Sequence, residues 1–270
     1  MGLKLATWNI NSVRLRSGLV QKFLSEAKPD ILCLQETKCP DDQFPRSDFK
    51  KLGYSYIAIN GQKGYHGVAI LSRIPFAKES SRIFAEKPDS RHISVELSDK
   101  AKSFAGLAIH NFYVPAGGDI PDPEANEKFA HKLAFLDEMK LWGKKEKPAE
   151  RKAILVGDLN VAPLEHDVWS HKQMQSIVSH TPIECEKLTS AIKSAQWVDA
   201  VRRLKPQPEK VFTWWSYRAA DWAASNRGRR LDHIWVSEDL TSGLKSTTIY
   251  RDARGWERPS DHVPVMISVG

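Results

Sequence analysis

Apolar positions divide the chain into a series of predicted strands. The clearest is 153–160, which opens with four apolar residues without a polar break, a pattern typical of a strand covered on both faces. Shorter apolar or alternating segments bounded by turn residues predict the other strands. They are 3–10, 31–35, 54–60, 67–72, 92–97, 104–114, 211–215, 231–236, 246–250 and 263–269.

Two further segments have the apolar spacing of amphipathic helices. In 17–27 this spacing ends shortly before Pro29, and in 123–142 it forms one continuous stripe. The segment 165–195 is expected to be helical and loop-like. Many strands accompanied by two well-marked helices predict an α/β fold, with two packed sheets flanked by helices. Because the 270 residues contain no composition break and no repeat, we expect one domain over 1–270.

Polar residues follow several of these segments, at the point where each predicted strand ends. Glu36 ends one strand and Asp158 another, and an unpaired carboxylate there needs a cation, a donor or a water-filled cleft. Since residues two apart share a face of an extended chain, we expect Asp158 beside Asn160 and Asn9 beside Asn11. A plain alternative stays open for each of them: a solvated strand end, or a turn in which the side chain bonds its own backbone.

These residue types suit chemistry at a phosphate group. Glu36 with Asn9 and Asn11 offers a few hard oxygen ligands, which Mg²⁺ prefers when waters and a substrate phosphate complete its coordination. No cysteine or histidine cluster in the sequence indicates zinc. Asp158 and Asn160 together are able to orient a water molecule.

One histidine near the C-terminus, His262, is a candidate for stabilising charge on a phosphoryl oxygen. Its neighbour Asp261 is poorly placed to orient it, because adjacent side chains diverge in extended backbone. Asp232, which comes from another strand, is the better partner, and such a pairing predicts a raised pKa for His262. A surface histidine, or a buried one with its hydrogen bonds satisfied, is the alternative. Tyr113, which precedes Pro115 at a strand end, completes the set of candidates.

Composition and charge narrow the class of protein. The net charge of +7 favours an anionic partner, with nucleic acid the first choice, although a moderately basic protein without such a partner has the same charge. Three cysteines without metal spacing indicate a reduced, cytoplasmic compartment. The sequence has no apolar stretch of about 18 residues and no secretory signal, so no association with a membrane is expected.

Eight short motifs occur in order along the chain. They are WNIN at 8–11, LQETK at 34–38, GYHGVAILSR at 64–73, YVP at 113–115, GDLN at 157–160, TWWSY at 213–217, NRGRRLDHIWVS at 226–237 and PSDHVPV at 259–265. With these motifs the chain resembles the exonuclease III family of apurinic/apyrimidinic (AP) endonucleases, of the bacterial exodeoxyribonuclease III type. GDLN and SDH mark only the wider endonuclease/exonuclease/phosphatase superfamily, whereas LQETK together with RRLDHIWVS points to its DNA-repair branch.

The resemblance implies a fold and an activity. The fold is a four-layered αββα sandwich of two mixed, mainly antiparallel sheets flanked by helices. The activity is Mg²⁺-dependent hydrolysis of DNA phosphodiesters, with Mn²⁺ as a possible substitute, on the 5′ side of abasic sites, leaving a 3′-hydroxyl. Accompanying 3′ to 5′ exonuclease and 3′-phosphatase or phosphodiesterase activities are expected on duplex DNA. The implied partner is double-stranded DNA with abasic sites or 3′ ends, bound by a monomer.

Matched positions in the motifs imply roles for individual residues. The catalytic residues implied by the resemblance are Tyr113, Asp158, Asn160, Asp232 and His262. The implied metal ligands are Glu36 as the principal one, with Asn9, Asn11 and Asp261 around it. The implied DNA-binding residues are Arg14, Lys38, Tyr65, Trp214 and Leu231, of which the last two would line a pocket for a flipped-out abasic sugar.

The chain departs from the family pattern at three positions near the expected site. Ala116 stands where many relatives carry Asn or Gln, Asp119 adds an acid nearby, and Arg229 replaces an aromatic or aliphatic pocket residue. Two other functions stay open. One is a phosphatase or phospholipase of the same superfamily acting on a small or lipid anion. The other is a non-catalytic nucleic-acid-binding protein on the same fold, against which the complete set of polar residues argues.

Overall fold

Twelve strands form two six-stranded sheets in a computed structural model that describes residues 2–270, apart from the side chain of residue 149. The strands are β1 (Leu3–Asn9), β2 (Ile31–Gln35), β3 (Tyr56–Asn60), β4 (Val68–Ser72), β5 (Phe76–Ser81), β6 (His92–Leu97), β7 (Ala108–Tyr113), β8 (Ala153–Asp158), β9 (Val198–Asp199), β10 (Asp232–Val236), β11 (Leu244–Ile249) and β12 (Val265–Val269). The first sheet has the order β11-β12-β1-β2-β4-β3 and the second β5-β6-β7-β8-β10-β9. The β1–β2 and β7–β8 neighbours are parallel and the other pairs antiparallel, so both sheets are mixed and mainly antiparallel, as predicted.

The α-helices lie in the connections between the strands. They are α1 (Ser17–Ala27), α2 (Arg46–Lys50), α3 (Glu127–Glu146), α4 (His171–Met174), α5 (Pro182–Ser194), α6 (Ala200–Leu204) and α7 (Trp222–Ser225). Helix α3 begins four residues later than predicted, because the side chain of Asn126 caps it by accepting a hydrogen bond from the backbone N–H of Lys128. Helix α5 begins with a capping box between Thr181 and Glu184.

Three apolar clusters separate the layers. The largest lies between the two sheets and takes residues from both, such as Ile31 and Ile70 from one and Ile109 and Ile234 from the other. A second cluster packs the outer face of the first sheet against α1. The third packs the outer face of the second sheet against α3 and α5. The order helix, sheet, sheet, helix confirms the predicted four-layered sandwich.

Register within the second sheet brings polar residues together at one edge. Tyr113 at the end of β7 is paired with Asp158 at the end of β8, and Asp158 is paired with Asp232 at the start of β10. The parallel β7–β8 pair requires Gly157, because a Cβ at this position would lie 1.8 Å from the carbonyl oxygen of Phe112. One edge of the second sheet therefore carries polar side chains from three neighbouring strands, β7, β8 and β10.

Several predicted strands differ from those observed. The segment 211–215 is not a strand, since Trp214 makes only isolated bridges, one to Arg229 and one to His262. The strand predicted over 104–114 begins at Ala108, because a 3₁₀ turn occupies Asp99–Phe104. Strand β5 escaped prediction because it is an exposed edge strand with few apolar residues.

Within residues 2–270 no helix combines the length and the apolar character that crossing a bilayer requires. Both ends of the chain contribute neighbouring strands to the first sheet, since β1 pairs with β12. The organisation of 1–270 as one domain stays a prediction.

Candidate active site

The carboxyl ends of β1, β2 and β8 meet at one edge of the two sheets. Nδ2 of Asn9 donates to Oε1 of Glu36 at 3.0 Å and to Oδ2 of Asp158 at 2.9 Å. The same Asp158 oxygen lies 3.6 Å from Nε2 of His262. The predicted convergence of side chains from both ends of the chain is therefore present.

His262 lies between two carboxylates in the buried part of the site. Its Nδ1 is 2.8 Å from Oδ2 of Asp232, the partner predicted for it in preference to Asp261. Burial works against a charged imidazole, but Asp232 and Asp158 outweigh it and raise the pKa of His262 to about 10. His262 is therefore an imidazolium at neutral pH.

Asp158 is a buried carboxylate beside Asn160. The backbone N–H of Asn160 donates to Oδ1 of Asp158 at 3.0 Å, and its Nδ2 donates to Oδ2 at 3.1 Å. Burial raises the pKa of Asp158 to about 7, although the imidazolium of His262 opposes the rise. A carboxylate with a pKa near neutrality is suited to accepting a proton from water at the pH of the cell.

Glu36 is held by three donors. Tyr113 donates its hydroxyl to Oε1 at 2.7 Å, Asn9 donates to the same oxygen, and Nζ of Lys38 lies 2.9 Å from Oε2. Burial opposes ionisation of Glu36, but the charge of Lys38 and these hydrogen bonds hold its pKa below the ordinary value. Burial and the neighbouring carboxylates raise the pKa of Tyr113 well above its usual range, so its hydroxyl stays a donor.

A polar chain continues from Glu36 to the surface of the site. Nζ of Lys38 also donates to Oδ1 of Asn11 at 2.7 Å, and Nδ2 of Asn11 donates to Oδ1 of Asp261 at 3.3 Å. The other oxygen of Asp261 accepts from Nε1 of Trp214 at 2.9 Å. The four predicted metal ligands are thus joined by hydrogen bonds, directly or through Lys38.

Two groups of side chains at this site offer ligand atoms for a divalent cation. Around Glu36 and Asn11, carboxylate and amide oxygens already surround a positive charge, the ammonium of Lys38. In the second group, ligand atoms of Asp158, Asp232 and His262 all lie within 4.8 Å of one another. The first group suits Mg²⁺ better, because its ligand atoms are hard oxygens. The second group contains the imidazolium of His262, which is protonated and hydrogen-bonded to Asp232 and therefore has no lone pair for a metal ion.

Four residues of the site have positive φ angles. They are Asn11 (48°), Glu36 (49°), Lys38 (48°) and Asn160 (52°). For residues other than glycine this left-handed region costs of order 1 kcal/mol or more, and such strain concentrates at functional sites. All four lie within three residues of the end of β1, β2 or β8.

A cleft of about 680 Å³ opens beside the cluster. The residues lining it include Glu36, Ala116, Gly118, Asp119, Asn160, Trp169, Met174, Ile177, Val178, Ser179, Trp214, Arg218, Arg227, Arg229, Leu231, Asp261 and His262. Trp214 and Leu231 lie at its wall as predicted, and all three family departures, Ala116, Asp119 and Arg229, lie there too. Trp215 is only 2% exposed and packs in a buried apolar cluster with Phe212 and Val263.

Residues 6–262 match the family described as the Endonuclease/Exonuclease/phosphatase family. Exodeoxyribonuclease III of Haemophilus influenzae is 30% identical over 270 residues, which cover 97% of this chain and 98% of that protein. The chain belongs to the endonuclease/exonuclease/phosphatase family.

Solved structures of this family have the same architecture. An AP endonuclease from Archaeoglobus fulgidus superposes with a TM-score of 0.89 at 32% identity and covers 98% of both chains. The 3′ phosphatase NExo from Neisseria, bound to a product DNA hairpin, gives a TM-score of 0.89 at 30% identity over 99% of both chains. The predicted fold and the predicted resemblance to the exonuclease III branch of the family are confirmed.

The predicted DNA-binding residues of this family member lie in different surroundings. Arg14 is exposed, and its Nη1 donates to Oε1 of Gln43 at 2.6 Å. Tyr65 is 69% exposed beside His66, whose ring lies 6.1 Å from that of Tyr113. Lys38 instead points into the cluster. Contact of these residues with DNA stays a prediction.

Three supporting residues escaped prediction from the sequence. Thr213 donates its hydroxyl to Oδ2 of Asp232 at 2.6 Å, and Ser260 donates its hydroxyl to the backbone oxygen of Asn9 at 2.7 Å. Lys132, buried in α3, donates to the backbone oxygen of Asn160 at 2.7 Å. The first two lie inside the TWWSY and PSDHVPV motifs, which marked the segments without indicating these contacts. Nothing in the sequence around Lys132 indicated that it would be buried at the site, because a lysine in a helix is usually exposed to solvent.

Proposed function

We propose that the chain is a DNA-repair nuclease, a phosphodiester hydrolase that cuts on the 5′ side of an abasic site and leaves a 3′-hydroxyl. It also acts as a 3′ to 5′ exonuclease and a 3′-phosphatase or phosphodiesterase on duplex DNA. The observation that carries this proposal is that Asn9 joins Glu36 to Asp158, which lies 3.6 Å from His262, beside an open cleft in a chain of net charge +7. Relatives that are an AP endonuclease and a DNA-bound 3′ phosphatase support it.

In the proposed hydrolysis, one group of residues activates the attacking water and another stabilises the scissile phosphate. Asp158, oriented by Asn9 and Asn160, holds the attacking water and accepts its proton. The imidazolium of His262, held by Asp232, donates to a phosphate oxygen and stabilises the charge that develops there. Water adds to phosphorus, the P–O3′ bond breaks, and the released 3′ oxygen takes up a proton. Tyr113 and Asn160 contribute hydroxyl and amide donors that position the phosphate.

Glu36 is the proposed principal ligand for Mg²⁺, or for Mn²⁺ in its place, with Asn9, Asn11 and Asp261 around it. These oxygen donors fit such an ion, and Lys38 already supplies a positive charge at the same place. When bound, the ion supplies positive charge that neutralises the phosphate and favours departure of the 3′ oxygen. Glu36 stays ionised for this purpose, since its pKa is held below the ordinary value.

Trp214 and Leu231 form the proposed pocket for an extruded abasic sugar. An abasic nucleotide is the least costly one to flip out of the duplex, because its base is already missing. The indole of Trp214 is fixed by its hydrogen bond to Asp261, so the pocket wall is tied to the metal-binding side of the site. The monomeric state and the cytoplasmic location stay predictions.

An assay with end-labelled duplexes tests the proposal. We expect incision of a duplex with a single tetrahydrofuran abasic site in the presence of Mg²⁺, and slower shortening of a blunt undamaged duplex. The matched control is the Asp158→Asn variant, which should bind the same duplex without cutting it. Failure to cut any DNA while hydrolysing inositol phosphates would identify a superfamily phosphatase instead. Binding without hydrolysis of either would identify a non-catalytic nucleic-acid-binding protein.

A further inference from the structure

An arginine, Arg229, forms part of the wall of the cleft beside the catalytic cluster. Its guanidinium stacks over the ring of Trp214 at 4.9 Å. Its Nη1 donates to the carbonyl oxygen of Val178 at 3.1 Å and to the hydroxyl of Ser179 at 2.9 Å. The planar group is therefore held in one orientation by the Trp214 ring and by two oxygens of Val178 and Ser179, which also line the cleft.

Among the described residues, no carboxylate accepts a hydrogen bond from Arg229. Both of its hydrogen bonds go to neutral oxygens, and Nε and Nη2 have no hydrogen-bond partner among the described residues. The acid that acts on it electrostatically is Glu184, which is already bound to the buried ammonium of Lys132 and to the backbone N–H groups of Ser179 and Thr181. An anion entering the cleft meets an unneutralised guanidinium.

Arg229 stands at a fixed separation from the reacting centre. The backbone of Trp214 bridges Arg229 on one side and His262 on the other. Paired positions in such ladders lie about 5 Å apart, so the backbones of Arg229 and His262 are about 10 Å apart. Arg229 and His262 both line the cleft, so Arg229 faces the space that would hold the substituent of a phosphate bound at His262.

The substituent in question is the one that stays on phosphorus after the P–O3′ bond breaks. In an abasic site it is a neutral sugar, and in a 3′-phosphoglycolate it is a short chain that ends in a carboxylate. The unused Nε and Nη2 of Arg229 form the edge of the guanidinium fork that matches a carboxylate with two parallel hydrogen bonds. We infer that Arg229 is a specificity-determining residue that binds this carboxylate and favours 3′-phosphoglycolate ends over neutral abasic sugars. The inference rests on the proposed nuclease function.

The test compares two substrates in Mg²⁺: a duplex with a tetrahydrofuran abasic site, and a gapped duplex with a 3′-phosphoglycolate end. Arg229→Met should lower kcat/KM on phosphoglycolate by about 10- to 100-fold, because charge-assisted hydrogen bonds are lost, and the ratio of kcat/KM on phosphoglycolate to that on tetrahydrofuran should fall by at least about tenfold. Arg229→Lys should recover part of the loss, since it keeps the charge without the fork. The matched control is Arg73→Met, which removes an arginine stacked on Tyr54 at 4.6 Å, outside the cleft, and should behave as the unaltered chain.

A measurement without any variant accompanies the assay. Free phosphoglycolate should inhibit the unaltered enzyme at least about tenfold more strongly than ethyl phosphate, which lacks the carboxylate. Equal inhibition, or an equal loss of both activities in Arg229→Met, would overturn the inference, the latter by showing contact with a DNA phosphate common to both substrates. Faster cutting of tetrahydrofuran with unchanged phosphoglycolate removal would show that Arg229 only obstructs the cleft. If the unaltered chain cuts neither duplex, the proposed function itself fails.

Discussion

Asp158 and Asp232 occupy directly paired positions in the antiparallel β8–β10 ladder. Two buried carboxylates this close repel each other, and a single cation compensates both. That cation is His262, whose Nδ1 lies 2.8 Å from Asp232 and whose Nε2 lies 3.6 Å from Asp158. The register of one strand pair thus fixes the charge state of the histidine.

Removal of Asp232 should lower the pKa of His262. In the native chain burial opposes the imidazolium, yet Asp232 and Asp158 raise this pKa to about 10, above the ordinary value of 6.5. The resulting stabilisation is complete below pH 6.5 and is lost as the pH rises through about 10. In Asp232→Asn the pKa of His262 should fall from about 10 toward its ordinary value of 6.5, so the stabilisation should be lost at a lower pH. An NMR titration of the metal-free protein measures this pKa.

The control for this titration is Asp252→Asn, at an exposed position outside the cluster. It should leave the pKa of His262 where it is. An unshifted His262 in Asp232→Asn would show that Asp158 alone accounts for the raised pKa.

Asp158→Asn should abolish turnover without loss of DNA affinity. The amide keeps the size of the side chain and its contact with Asn9, but it neither accepts a proton from water nor carries charge. We expect kcat to fall by several orders of magnitude, with the dissociation constant for abasic duplex within about threefold of the native value. Single-turnover rates and equilibrium binding measure the two quantities separately, and a retained rate would remove Asp158 from the catalytic role.

Arg14→Ala should weaken DNA binding in a salt-dependent way. Arg14 is exposed, and within residues 2–270 its side chain hydrogen-bonds only the neutral amide of Gln43, so its charge is available to a phosphate. Losing one phosphate contact reduces the slope of log affinity against log salt by about 0.9. Binding titrations between about 50 and 200 mM salt measure that slope. An unchanged slope, equal to that of Arg73→Ala, would show that Arg14 does not touch phosphate.

Asp167→Asn should destabilise the fold, most of all above acidic pH. Asp167 is fully buried and accepts two hydrogen bonds from Arg230, at 2.8 and 2.9 Å. Burial opposes its ionisation, but Arg230 and Arg202 outweigh this effect and lower the pKa of Asp167. The stabilisation is therefore present above the unfolded pKa of about 3.9 and is lost as the pH falls through the lower folded pKa.

Urea unfolding at several pH values tests this expectation. At pH 7 the free energy of unfolding should fall by about 3 kcal/mol, because Arg230 is left with an incompletely paired buried charge. The loss should shrink at acidic pH. Asp137→Asn, at an exposed pair with Lys187, is the control and should cost about 0.5 kcal/mol or less. Equal losses in both variants would show that burial does not strengthen the Asp167 pair.

Local pattern carried much of the fold prediction. Helix α1 and strands β2 and β6 lie where apolar spacing predicted them, because each buries a regular set of apolar side chains. Segments whose structure depends on distant partners were predicted less well. The 211–215 segment has strand-like residues, but its backbone forms only isolated bridges, from Trp214 to Arg229 and to His262, instead of joining a ladder.

By itself, the sequence determined the alternation of elements, the polar residues at strand ends and the motifs that place the chain in its family. These depend on neighbours in the chain, through side-chain period and turn chemistry. Tertiary structure alone decided that Thr213 holds Asp232, that Lys38 points into the cluster around Glu36, and that Arg229 lines the cleft with hydrogen bonds only to neutral oxygens among the described residues. Such contacts depend on strand register and on the packing of distant segments, and charge and burial acquire their values only once those segments have met.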